Sequence, residues 1–140
     1  MCTKHKTKEI FVSPIPESLF RKLIMNQCTK PNQCYVNCTL AVLNYGLADT
    51  YTLCFLEDPD DNLLGHALIK VNGIYYDPTL YGKGLYVKRY WLHTEMDKLE
   101  LIDFIKDFNS INTASISKID SYPPALFNDG TIACVDPELA

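Results

Sequence analysis

The stretch LLGHALIKVNGIYYDPT, Leu63–Thr79, decides the fold. At its centre stands Asn72-Gly73, the dipeptide best suited to a two-residue hairpin loop in which both positions take positive φ. β-Branched and aromatic residues flank it, so the stretch reads as two antiparallel strands. The turn sets the register: Val71 faces Ile74, Lys70 faces Tyr75, Ile69 faces Tyr76 and Leu68 faces Asp77. Side chains alternate across a strand, so Ala67, Ile69, Val71, Ile74 and Tyr76 share one face of core character. His66, Leu68, Lys70, Tyr75 and Asp77 share the other. His66 and Asp77 are then diagonal neighbours, within reach of each other. A carboxylate beside an imidazole fixes its tautomer and favours its charged form. The bland alternative is a solvated His and Asp on an exposed hairpin face.

Upstream, NQCYVNC, Asn32–Cys38, opens a predicted helix that runs to Tyr45, with Gly46 as its C-cap. Asn32 or Gln33 supplies the N-cap. Val36, Leu40, Val42 and Leu43 give the helix an apolar body, and Asn37, Thr39 and Asn44 are its clearly polar positions. Cys34 falls in the first turn, where free N–H groups and the helix dipole favour a thiolate. Cys38 lies one turn deeper, where it should be packed. Cysteine at a helix start, histidine on a strand and aspartate on the next strand is a set that nucleophilic thiol chemistry requires.

Around these segments the chain alternates in character. Lys8–Val12 reads as extended, and a helix is expected from about Pro16 to Asn26, with Leu19, Phe20, Leu23 and Ile24 at helical spacing. Thr50–Glu57 and Gly84–Leu92 read as strands. A second amphipathic helix follows, capped by Thr94 with Asp97 completing a capping box, and with Met96, Leu99, Ile102 and Ile105 on one face. Short apolar patches make up the tail after Asn109. The order implies an α+β fold, in which the Cys34 helix packs on an antiparallel sheet of Thr50–Glu57, Leu63–Val71, Ile74–Asp77 and Leu85–Trp91.

A chain of 140 residues implies a single domain, 1–140. Its formal charge of −4 gives no basic footprint, which argues against a nucleic-acid partner. No apolar run approaches the roughly 20 residues that span a membrane. The start MCTKHKTKEI lacks the apolar stretch of a secretory signal, so a cytoplasmic location is expected. There the cysteines at 2, 28, 34, 38, 54 and 134 stay reduced, and most should be small core residues. Zinc is the first rival reading, with Cys28, Cys34, Cys38 and His66 as ligands. The intervals of six and four residues between these cysteines do not match close-spaced zinc pairs. A redox pair is disfavoured because Cys34 and Cys38 form Cys-x-x-x-Cys, not Cys-x-x-Cys. No metal or cofactor is expected.

CYVN followed by GHALIKVNGIYYDPT resembles the Cys…His…Asp core of papain-like and transglutaminase-like cysteine enzymes, above all small stand-alone bacterial and phage versions. The resemblance covers Gln33 to Thr79. It implies a papain-like core with Cys34 as nucleophile, His66 as general base and Asp77 as the residue that orients the histidine. It also implies an upstream glutamine in the oxyanion hole, for which Gln27 and Gln33 are the candidates. Relatives often carry His-Ala-Trp, whereas Leu68 follows Ala67 here. The implied reaction is acyl transfer on a protein or peptide: hydrolysis of an amide or isopeptide bond, or transfer to an amine. Tyr81, Tyr86 and Trp91 are candidate walls of the substrate groove. The rival from another class is an inactive papain-like domain that serves as a protein-binding, phage-type effector module.

Overall fold

The strand Thr50–Glu57 (β2) lies at the middle of a five-stranded sheet in a computed structural model that describes residues 8–81, 89–111 and 123–136. Leu63–Val71 (β3) pairs with it on one side and Arg89–Asp97 (β5) on the other. Ile74–Tyr76 (β4) extends the sheet beyond β3, and Glu9–Ile10 (β1) extends it beyond β5. All of these pairings are antiparallel, and the fold is α+β.

The hairpin has the register that Asn72-Gly73 implies. Val71 pairs with Ile74, Lys70 with Tyr75 and Ile69 with Tyr76. Asn72 and Gly73 have φ of 51° and 83°, the left-handed pair of a type I′ turn. The ladder then stops. Leu68 and Asp77 do not pair as expected, because Asp77 leaves the sheet: its Oδ1 accepts from the backbone N–H of Thr79 and of Leu80, and its carbonyl from Tyr81. Pro78, which has no N–H to give a ladder, fixes that exit.

One face of the sheet carries Tyr51, Leu53, Phe55, Ala67 and Ile69, all fully buried. The helix Cys34–Thr39 (α2) packs here through Cys38, and its apolar continuation adds Ala41 and Val42. That continuation, Leu40–Asn44, is a wide π-type turn in which Tyr45 N donates to Leu40 O at 3.1 Å. Gly46, with φ of 60°, ends it as its position suggested. The helix Glu17–Met25 (α1) contributes Leu23 to the same core, while Ile24 is exposed.

The second face is enclosed as well. Val12 forms a parallel bridge with Tyr75, and Ser13 N donates to Tyr75 O at 2.9 Å. The N-terminal segment therefore starts beside β5 at one edge and reaches β4 at the other. It curls the sheet toward a closed barrel and covers Cys54 and Leu68 with Ile10. His66 and Asp77 thus sit in the protein interior, not on an exposed face.

The second long helix begins later than expected. β5 continues to Asp97, and Lys98–Ile111 (α3) follows. The capping box is Asp97 with Glu100: Glu100 N donates to Asp97 Oδ1 at 2.8 Å, and Asp97 N to Glu100 Oε1 at 3.0 Å. Thr94 and Met96 belong to the strand, opposite Leu53 and Tyr51. The buried face of α3 is Leu101 and Ile105, and Leu99 is 72% exposed. A Thr-x-x-Asp and an Asp-x-x-Glu overlap in this stretch, and burial of Met96 against Tyr51 selects the second.

The tail forms a hairpin of Pro124–Leu126 (β6) and Ile132–Cys134 (β7) that lies across β3. Tyr35 Oη donates to Leu126 O at 3.1 Å, and Tyr51 Oη donates to Pro124 O. Gly65 makes this crossing possible, since a Cβ there would stand 1.8 Å from Leu126 O. Of the expected strand Gly84–Leu92, residues 84–88 lie outside the described residues, as does Cys2. Among the described residues no helix is long and apolar enough to cross a membrane.

Candidate active site

His66 stands on β3 three residues beyond the last β3–β4 pair, and Asp77 stands directly after β4. The hairpin turn thus brings them together as its register implies: His66 Nε2 lies 2.9 Å from Asp77 Oδ2. Both are buried, at 6% and 3% exposure. Asp77 divides its two oxygens between tasks. Oδ1 caps the Asp-Pro-Thr turn through Thr79 N and Leu80 N, at 3.2 and 3.1 Å. Oδ2 receives His66 and the hydroxyl of Tyr90, the latter at 2.8 Å. Burial works to raise the Asp77 pKa, but His66 and these donors outweigh it and hold the carboxyl below its ordinary value.

Burial likewise pulls the His66 pKa down. The Asp77 carboxylate and the Cys34 sulfur act against it, through charge and hydrogen bonding, and push it up to about 10. The Cys34 sulfur thus lies close enough to the imidazole to act on its charge. With Nε2 committed to Asp77, Nδ1 is the nitrogen left for the thiol.

Cys34 opens α2 and is half-buried, whereas Cys28, Cys38, Cys54 and Cys134 are buried. Burial raises the pKa of each of these four, to about 11 for Cys28 and about 12 for Cys134, so their thiols stay protonated and inert. Among the described residues no three His, Cys, Asp or Glu side chains converge in a way that would hold a metal ion. Cys28, Cys34, Cys38 and His66 are all described, and they form no such group.

Asn37, three residues into α2 from Cys34, is fully buried. Its amide clasps the backbone of Lys30 in both directions: Lys30 N donates to Oδ1 at 3.1 Å, and Nδ2 donates to Lys30 O at 2.9 Å. Nδ2 also donates to Thr79 Oγ1 at 2.9 Å. Asn37 and Thr79 belong to the stretches that carry the resemblance, but the sequence assigned no function to them or to Tyr90. A polar side chain on the packed face of an apolar helix was a usable signal for Asn37, because a buried amide must find partners. For Tyr90 no local signal existed.

Gln33 is the N-cap residue of α2, next to Cys34, and its carbonyl accepts from Asn37 N at 2.8 Å. Gln27 is exposed, with φ of 58°, and lines a groove with Val36 and Leu40. Val36 is two positions along the helix from Cys34 and so faces away from it, which separates Gln27 from the thiol. Tyr81 packs edge-on against Phe20 with ring centres 4.9 Å apart. It lines a cleft of about 240 Å³ together with Pro14, Asp77, Leu80 and Tyr90. Trp91 pairs with Phe55 on the opposite sheet face from His66, and its indole donates to Glu57 at 3.2 Å. The structure does not bring it to the triad. Tyr86 lies outside the described residues.

No family model, curated protein or solved structure matches the chain.

Proposed function

We propose that the chain is a thiol-dependent acyl-transfer enzyme with a papain-like or transglutaminase-like core, acting on a protein or peptide. The observation that carries this reading is the buried relay in which His66 is bonded to Asp77 by one nitrogen and neighbours the Cys34 sulfur. In the reaction, the Cys34 thiol proton already rests on His66 Nδ1, because the raised pKa of His66 favours the imidazolium, and Cys34 Sγ attacks the carbonyl carbon of an amide. The imidazolium, held by Asp77, returns that proton to the departing amine and leaves a thioester on Cys34. Water or a second amine then attacks the thioester, with His66 again accepting the proton. The N–H of Cys34 and the side chain of Gln33 are the nearest candidates to hold the oxyanion.

The test compares the parent with Cys34→Ala in the source cells, with mass spectrometry of cleaved, deamidated or cross-linked proteins. Products that appear with the parent and vanish with the variant support the reading. A folded Cys34→Ala protein that keeps its full biological effect would instead make the chain a binding module.

A further inference from the structure

Asp77 Oδ2 serves two donors: His66 Nε2 at 2.9 Å and Tyr90 Oη at 2.8 Å. Tyr90 reaches this oxygen because β5 is irregular. The β2–β5 register passes from Leu53 opposite Thr94 to Cys54 opposite Leu92, which leaves His93 as an extra residue. In an unbroken ladder Cys54 would face His93, and Tyr90 would point to the α2 side of the sheet. The bulge turns the rest of β5 over and delivers Tyr90 to the His66 side, where the two rings lie 6.2 Å apart.

Among the described residues, the titratable groups around His66 are Cys34 from α2, Cys54 from β2, Asp77 after β4 and Tyr90 from β5. Cys54 stands directly opposite His66 and is fully buried, so its thiol is neutral. Burial and the Asp77 charge also raise the Tyr90 pKa, which keeps its hydroxyl a donor. Asp77 is thus the charge that Tyr90 acts on.

Granted the acyl-transfer reading, we infer that Tyr90 is a positioning residue that anchors Asp77 and restrains how strongly Asp77 binds the His66 proton. A hydroxyl on Oδ2 disperses the negative charge that the imidazole meets. Without it the carboxylate holds the imidazolium more tightly. A histidine so held returns its proton to a leaving amine less readily, because transfer is most effective when the acid's pKa lies near the working pH.

Tyr90→Phe keeps the ring and removes the hydroxyl. NMR titration of the His66 ring proton should then give a pKa about one unit above that of the parent, the size of one charge-assisted hydrogen bond. In an Asp77→Asn background the same tyrosine change should leave the titration where it was, since Tyr90 acts through the carboxylate. A His66 titration unmoved by Tyr90→Phe, or moved equally in both backgrounds, overturns the proposal. The titration reads the ring itself, so its outcome is separate from whether Cys34→Ala abolishes acyl transfer.

Discussion

Asn37 donates a 2.9 Å hydrogen bond to Thr79 across 42 residues of chain, and so fastens the helix that carries Cys34 to the turn that carries Asp77. Cys34 sits less than one turn from Asn37, and Thr79 sits two residues from Asp77. A single buried bond therefore sets the distance between the two ends of the relay. The same amide holds Lys30, and with it the connector that leads into α2.

Asn37→Ala should destabilise the protein by about 2 kcal/mol, because it leaves the buried Thr79 hydroxyl short of a partner, opens a space in the packed core and frees the Lys30 backbone from its clasp. Thr79→Val removes one of these bonds and should cost about 1 kcal/mol. Urea unfolding followed by fluorescence measures both. If the clasp positions the site, Thr79→Val also slows alkylation of Cys34 while leaving the protein folded at low urea. Equal alkylation rates in parent and variant would remove the positioning role.

How much of this was legible in the sequence follows from how local each determinant is. The β3–β4 hairpin was readable because Asn72-Gly73 dictates its own turn, and the turn dictates which residues face each other. The helix start at Cys34 was readable from Asn32 and Gln33 as candidate N-caps, the apolar spacing and Gly46. The closure of the second sheet face was not, because it depends on Val12 meeting Tyr75 from the far end of the chain. Nor was the placement of Tyr90, since nothing around His93 announces a bulge and one extra residue inverts every side chain before it. The helix boundary failed for a different reason. Two overlapping capping signals were present, and tertiary burial of Met96 chose between them.

The charge pair also sets how stability depends on pH. His66 has a folded pKa of about 10, above its ordinary 6.5, so its contribution is fully present below about 6.5 and lost as pH rises through 10. Asp77 has a folded pKa below its ordinary 3.8, so its contribution is present above that value and lost as pH falls through the lowered one. The pair therefore stabilises most between these two ordinary values. The urea midpoint of the parent should fall from pH 6.5 toward pH 10, and His66→Gln should flatten the curve in that window. An equally steep fall in the variant would assign the pH dependence to other groups.

Gly65→Ala should detach the terminal hairpin. The added methyl would meet Leu126 O at 1.8 Å and the Tyr35 hydroxyl at 2.9 Å, and the first of these is backbone that cannot swing aside. The cost is expected at about 3 kcal/mol, the upper range of overpacking. Limited proteolysis should cut the variant near residues 123–136 first, with β2 and β3 still protected from hydrogen exchange. Unchanged cleavage and an unchanged melting temperature would mean that the hairpin shifts at little cost.

Native-state alkylation tests the uniqueness of Cys34 among the described cysteines. Cys28, Cys38, Cys54 and Cys134 are buried, and burial keeps their thiols protonated, so iodoacetamide should reach them only through opening of the fold. Cys34 is only half-buried and lies near His66, and it should react at least about tenfold faster near neutral pH. Peptide mapping by mass spectrometry assigns each rate to its cysteine. His66→Gln removes the imidazolium that holds the thiol proton and steadies the thiolate without unpacking the helix, so it should slow Cys34 and leave the four buried cysteines at their parental rates. If Cys34 reacts no faster than Cys38, or if His66→Gln leaves its rate unchanged, the imidazole does not activate the thiol and the acyl-transfer reading fails with it.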